Sequence, residues 1–373
     1  MKSPRLVPAL CLLASLFPAG QVRGDGLPKE VRQTNSAPAA IGPIQEFVRT
    51  HVAGLTSANP AEQAAARDAL LDEAAPSANA NALFLDLYSS ELVKQLAPVL
   101  KSSDHRAKLN AGIVTTRVAE AQNRVDQASP RLIDVCVQLL ADENDAVVIW
   151  GLKASRAVMP VALKTKDTRL AQAIVDAAVR NPHGAVAEDA YEALKIDTGT
   201  APQPTFKPNI ATVVPLIHKI LQSRLEAYKT GIPSDPSSDA RAAAFLGDSK
   251  VFSVQNAADQ LYTVQLLANL ISFASQRYET ATPAERLSLH AAITRTAAAL
   301  NVISQAVKNE PLNEVTLDLA RKTPVTASPQ LMNQMVSPVL PALLKVPAFA
   351  KLTVPPQLPS LGGQNGPSTG PAI

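Results

Sequence analysis

A spacing of about forty residues constrains this chain more than any other feature. Leu100, Leu140 and Val179 lie 40 and 39 positions apart, and the same step joins Ala107, Val147 and Val186, and again Ala111, Gly151 and Ala190. Each set falls in a pattern of two apolar-striped helices joined by a polar turn. A unit of that length cannot bury its own apolar face and has to stack on its neighbours. The spacing therefore predicts an all-α chain: a solenoid of α-hairpins over residues 43–197, then a bundle of longer helices over 210–346. Such a stack offers surface and brings no catalytic group with it.

Local signals mark individual helices. Ile44, Phe47, Val48, His51, Val52 and Leu55 form one stripe at three-and-four spacing. Asn59-Pro60-Ala61-Glu62 starts the next helix with a cap, a first-turn proline and an acid, and Ala66, Ala69 and Leu70 are its inward face. The clearest unit runs from Pro130 to about Leu163. Its first helix, 131–140, carries Leu132, Val135, Cys136, Leu139 and Leu140 inward. Asp142-Glu143-Asn144-Asp145 makes the turn and caps the second helix, in which Gly151 and Ala154 let its partner approach and Pro160 interrupts or ends the element.

This unit resembles a HEAT repeat. The matching residues are the Leu-Leu-Ala-Asp run at 139–142, Val147, and the small residues at 151 and 154. The preceding unit supplies Leu100, Asp104, Ala107, Ala111 and Val114, and the following one Val179, Val186, Ala190 and Ala193. The resemblance covers residues 44 to about 196 and implies a right-handed α-solenoid. It departs from the family at the basic position of the second helix, which Arg67 and Lys108 fill but Val148 and Ala187 do not. Solenoids of this kind hold partners on an extended concave face, so the resemblance implies a protein-binding role without fixing it.

The first 24 residues read as a signal peptide. Lys2 and Arg5 precede an uncharged apolar run from Leu6 to Phe17, and Val22 and Gly24 are small enough to flank a cut after Gly24. The run is shorter than the roughly 20 residues of a membrane span. An uncleaved anchor and lipid attachment at Cys11 are the alternatives. Against lipidation, Cys11 follows Leu10 inside the apolar run rather than a small residue at its end. Cleavage takes Lys2, Arg5 and Arg23 and no acid, leaving 32 of 35 basic residues against 32 acidic ones. A neutral mature chain has no overall attraction for nucleic acid or anionic lipid. Cys136 alone remains, so no internal disulfide forms; its apolar neighbours make it a buried thiol rather than a nucleophile.

Three stretches lack helical periodicity. Residues 25–42, with Gly26, Pro28 and Pro38, read as a flexible lead-in, and 198–209, with Gly199, Pro202, Pro204 and Pro208, as a linker. Residues 347–373, with Pro355, Pro356, Pro359, Pro367 and Pro371, read as a disordered tail in which Pro356-Gln357-Leu358-Pro359 matches a minimal polyproline ligand. Between them, helices are expected over about 210–230, 253–279, 283–309, 312–322 and 329–345. Thr282-Pro283-Ala284-Glu285 is the strongest start signal.

The residue types that carry chemistry do not converge in sequence. His51, His105, His183, His218 and His290 stand at no metal-ligand spacing. Asp142, Asn144 and Asp145 lack the glycine and distal glutamate of a calcium loop, with Val147 and Lys153 at the later positions, so they read as caps. Gly-x-Ser-x-Gly, Gly-x-x-x-x-Gly-Lys and Gly-x-Gly-x-x-Gly signatures are absent from the sequence. Fourteen scattered aromatic residues, with Trp150 the single tryptophan and a core or groove-wall residue, argue against a glycan-cleaving site. Lys153, Arg156, Lys164, Lys166 and Arg169, offset only by Asp167, form a basic patch that reads either as an anion site or as a solvated rim.

The sequence thus assigns no catalytic, cofactor-binding or metal-ligating residue. It is read as an exported, non-enzymatic scaffold or protein-interaction module whose partner is a protein in the periplasm or outside the cell. The alternative is an enzyme with a site between the stack and the C-terminal helices, covered by the polar loop 232–250 with Asp235, Asp239, Arg241 and Asp248. Export gives a direct expectation: N-terminal sequencing of protein recovered from the periplasm or medium starts at Asp25. A chain retaining Met1, or lipidated on Cys11, contradicts it.

Overall fold

Short polar side chains start most of the helices. Asn59, Asn81, Asn144, Asn256, Asn309 and Ser328 each accept a hydrogen bond from a first-turn amide, and Thr282 with Glu285 closes a full capping box. The computed structural model describes residues 26–75, 79–125, 128–194 and 210–359. The proposed signal peptide, the 198–209 linker and the end of the tail fall outside them. Among the described residues there is no strand. The helices are α1 (Lys29–Gln33), α2 (Ala37–Gly54), α3 (Pro60–Ala74), α4 (Ala82–Leu100), α5 (His105–Val125), α6 (Leu132–Leu140), α7 (Asp145–Lys164), α8 (Arg169–Arg180) and α9 (Ala187–Leu194). After the undescribed stretch come α10 (Ile210–Thr230), α11 (Asp239–Leu246), α12 (Ser249–Phe252), α13 (Ala257–Thr280), α14 (Pro283–Ala306), α15 (Glu310–Lys322), α16 (Pro329–Val336) and α17 (Val339–Leu344).

From α2 to α11, helices two apart in the chain lie side by side, and the later pairings keep no fixed step. α2 packs on α4, α4 on α6, α6 on α8, α8 on α10, α10 on α13 and α13 on α16. A second series runs α3, α5, α7, α9, α11, α14 and α15, each touching the next. Cross contacts such as α2 with α3, α6 with α7 and α13 with α14 join the two series. One continuous apolar cluster runs from Leu27 to Leu352 between them, so burial, the dominant favourable term in folding, is shared along the whole length.

The close helix contacts need glycine. A Cβ on Gly151 of α7 would sit 2.9 Å from the Leu139 Cβ and 3.2 Å from the Leu140 backbone nitrogen, so α6 and α7 approach only because that atom is missing. Two of the repeat sets hold their expected places: Ala107, Val147 and Val186, and Ala111, Gly151 and Ala190, are buried. In the third set Val179 is 40% exposed, because Ala177 and Ala178 take the buried places at the end of α8. Among the described residues α7 alone is long and apolar enough to cross a membrane, and over half of that stretch is buried inside the fold, as suits a core helix.

Four expectations need correction. Residues 26–42 are not a loose lead-in: α1 and the start of α2 lie there, the Leu27 amide donates to buried Glu73 at 2.8 Å, and Arg32 pairs with the same carboxylate at 3.3 Å. Pro38 does not prevent this, since the first turn of a helix needs no donor there. Pro160 does not end α7; buried Val158, Met159, Val161 and Ala162 carry the helix across the missing amide to Lys164. The expected 329–345 helix is two, α16 and α17, divided at Ser337-Pro338. Residues 347–359 are held, with Phe349 and Leu352 buried and Gln265, Gln276 and Arg277 bonded to their backbone.

Three arginines tie one series together. Arg180 of α8 donates to the Leu140 and Asp142 carbonyls, Arg224 of α10 to the Pro182 carbonyl, and Arg277 of α13 to the Tyr228 and Lys229 carbonyls. Arg180 and Arg277 thus answer open C-terminal carbonyls of α6 and α10, while Arg224 meets a carbonyl two residues past the end of α8. Arg224 is the most buried, at 1% side-chain exposure, and its Nε donates to Asp239 at 2.9 Å. Tyr191 and Tyr228 hydroxyls donate to the same carboxylate. Arg224→Met strands that buried carboxylate, which costs about 3–5 kcal/mol. Urea unfolding is expected to show the loss; a loss below about 1 kcal/mol would contradict the assigned role.

Candidate functional site

The turns of adjacent hairpins form the walls of a cleft. Asp104 accepts from the Arg106 and Ala107 amides and starts α5, which places His105 and Lys108 on its first turn. Next to it, Asn144 caps α7, and Asp142 accepts from the Asn144 amide and from Lys108 Nζ, both at 2.8 Å. Burial works to raise the Asp142 pKa, but the Lys108 hydrogen bond and charge outweigh it with the Asn144 amide, and the carboxyl is held below its ordinary range. Arg180 closes the turn from the far side through the Asp142 carbonyl.

The result is an open cleft of about 590 Å3 walled by Leu100, Lys101, Ser103, His105, Lys108, Gln138, Ala141, Asp142 and Glu143. Its charges are mixed: Lys101, His105 and Glu143 are exposed, and the Lys108–Asp142 pair lies at the base. Gln138 Oε1 is buried with no protein partner. A buried acceptor left unmet is a cost to the fold. The sequence reading used Asp142 and Asn144 as caps and Lys108 as a family position. Lys101, His105, Gln138 and Glu143 lie on α5, on α6 and on the turns before α5 and α7, and only helix packing makes them neighbours.

The structure keeps the histidines apart. His51 Nδ1 is bonded to the Phe47 carbonyl, His183 to the Thr230 hydroxyl and His290 to the Thr323 carbonyl, while His105 stands alone in the cleft. Among the described residues no group of three His, Cys, Asp or Glu side chains is placed to hold a metal ion. His218 is buried, and its Nε2 lies 2.8 Å from the Thr263 hydroxyl. That hydroxyl donates to Gln255, so the imidazole is the donor to it.

In the basic patch, two arginines pair with acids. Arg156 lies 4.0 Å from Glu192, and Arg169 pairs with Asp167 and Asp134. Lys153 sits 4.8 Å from the centre of the half-buried Trp150 ring. In the stretch 232–250 Asp239 is fully buried against Arg224, Arg241 pairs with Glu188 and Glu192, Asp248 caps α12, and Asp235 accepts from the Ser237 and Ser288 hydroxyls. Of the four charged residues of this stretch that motivated an enzyme reading, Asp239 alone is buried, and Asp235, Arg241 and Asp248 lie at the surface. Burial, only partly offset by the Ser155 hydrogen bond, pushes the Cys136 thiol up to about 12, so it carries no thiolate near neutrality.

No family model and no curated protein matches the chain. Among solved structures, an engineered protein determined by the Northeast Structural Genomics Consortium aligns with 84% of this chain and 87% of its own, at 16% identity and a TM-score of 0.32. So low a score carries no inference about fold or function.

Burial lowers the His218 pKa to about 4. The folded ring stays neutral while the unfolded one takes a proton below about 6.5. Stability is therefore complete above pH 6.5, falls between pH 6.5 and 4, and this contribution levels off below. The total is on the order of 3 kcal/mol. Denaturant titrations across that window are expected to show the slope in the wild type and a shallower one in His218→Gln. Equal slopes would remove His218 as the cause.

Proposed function

We propose that the chain is exported through a cleavable signal peptide and acts as a non-catalytic interaction module on a HEAT-like α-solenoid. The two series of helices, each touching chiefly its neighbours, support the solenoid reading. The observation that carries the function is the cleft between the α4–α5 and α6–α7 turns, about 590 Å3 in volume, with both signs of charge on its rim. Mixed charge around an open cleft suits a polar segment of another protein better than a polyanion or a lipid surface. On this reading the partner is a protein of the periplasm or extracellular space, and no cofactor is involved.

The test is a charge exchange across the rim. Chemical crosslinking in the source envelope with the wild-type chain is expected to trap a protein whose purified form then binds it in calorimetry. Lys101→Glu with Glu143→Lys should weaken that binding at least tenfold without changing the circular dichroism. A double variant that binds as well as the wild type, or an envelope in which no protein is trapped above background, would overturn the reading.

A further inference from the structure

Residues 351–359 run extended along α13 with a period of three. Leu352 and Pro355 are buried and Leu358 is partly buried, following buried Phe349, whereas Thr353, Val354, Pro356 and Gln357 are exposed. Three residues per turn is the repeat of the polyproline II helix, which has no internal hydrogen bonds and leaves its amides and carbonyls open to a partner. α13 supplies that partner twice. Gln265 donates to the Thr353 carbonyl at 2.8 Å and accepts from the Thr353 amide at 2.7 Å. Gln276 donates to the Pro356 carbonyl at 3.3 Å and accepts from the Leu358 amide at 2.6 Å. Arg277 then donates to the Pro359 carbonyl at 2.9 Å.

The spacing is matched to that conformation. From Gln265 to Gln276 α13 rises roughly 16 Å, and from Thr353 to Leu358 a polyproline II chain advances roughly 15 Å. The glutamines and Arg277 grip backbone alone, so they hold any chain of this shape, and selectivity falls to the apolar positions at every third residue. The middle position is under-filled. Beside Pro355 a half-open pocket of about 150 Å3 remains, walled by Ala268, Ile271 and Ser272 of α13, by Ser337, and by Val339 and Leu343 of α17. A pocket of that volume has room for a group as large as benzene.

We propose that this face of α13 is a binding site for an extended, proline-rich peptide of a partner protein. The peptide carries apolar residues at every third position, the middle one larger than proline. Residues 351–359 occupy the site in cis as a tethered competitor, and the partner displaces them by filling the pocket. The proposal rests on reading the chain as an interaction protein, and places a second seat away from the cleft. A short tether gives the competitor an effective concentration in the millimolar range, so the unaltered chain binds such a peptide weakly.

The probe is a fluorescent peptide with the sequence of residues 350–359 carrying Pro355→Leu, titrated into full-length protein and followed by anisotropy. Leu352→Asp with Leu358→Asp in the full chain disengages the competitor and is expected to raise affinity at least tenfold. Adding Gln276→Ala to that variant should remove most of the gain, and the peptide with the original Pro355 should bind more weakly. A double variant that keeps its helical circular dichroism yet binds no tighter than the unaltered chain overturns the site. If the double variant does not fold, the unaltered chain decides: saturating peptide must speed hydrogen exchange at the Thr353 and Leu358 amides, and unchanged protection overturns the site. Lys101→Glu with Glu143→Lys must leave this affinity unchanged, so failure at α13 is distinguishable from failure at the cleft.

Discussion

The last carbonyls of an α-helix have no partner within it, and in a stack of helices they point at whatever comes next. In this chain what comes next is an arginine. Arg180, Arg224 and Arg277 lie on successive helices in one series; Arg180 and Arg277 donate to carbonyls at the end of the helix before, and Arg224 to Pro182, two residues beyond the end of α8. A planar guanidinium suits that task, because several donors in a fixed fork can meet several carbonyls at once. The contact fixes the height of each helix against its predecessor, which apolar packing alone leaves free to slide.

Arg224 bears the most on the architecture because it stands where the chain resumes after the undescribed stretch. Its three nitrogens reach Pro182 behind α8, Ser234 and Asp235 ahead of α11, and Asp239 on α11 itself. Burial opposes the charge, but the Asp239 carboxylate more than offsets it and holds the guanidinium protonated. Tyr191 from α9 and Tyr228 from α10 complete the carboxylate's shell. One polar knot thus joins the end of α8 with α9, α10 and α11, and the helices after residue 210 touch those before it through α8 with α10 and α9 with α11.

Much of this was legible in the sequence, and the failures have physical reasons. Helix starts at Asn59, Asn144 and Thr282 were readable because caps are local, and the inward residues of α6 and α7 because the helical period is local too. Polar loops hid the knot: Asp239 lies in a stretch of serine, proline and aspartate that reads as surface, and only a distant arginine makes it core. The C-terminal segment was missed because its buried positions recur at three, a period that helix and strand templates do not seek, and its grip comes from side chains about 80 residues away. The cleft was invisible for the same reason as the knot, since Lys101 and Glu143 meet only once the hairpins stack.

Hydrogen exchange read by mass spectrometry on the full-length Arg224→Lys variant tests the knot most directly, because it keeps the charge and removes the fork. If this contact joins the two halves of the fold, the end of α8, α9, residues 231–238 and α11 lose protection together, while α2 to α5 keep theirs. Loss confined to residues 231–238, or no loss at all, would mean that the helices after residue 210 stand without it.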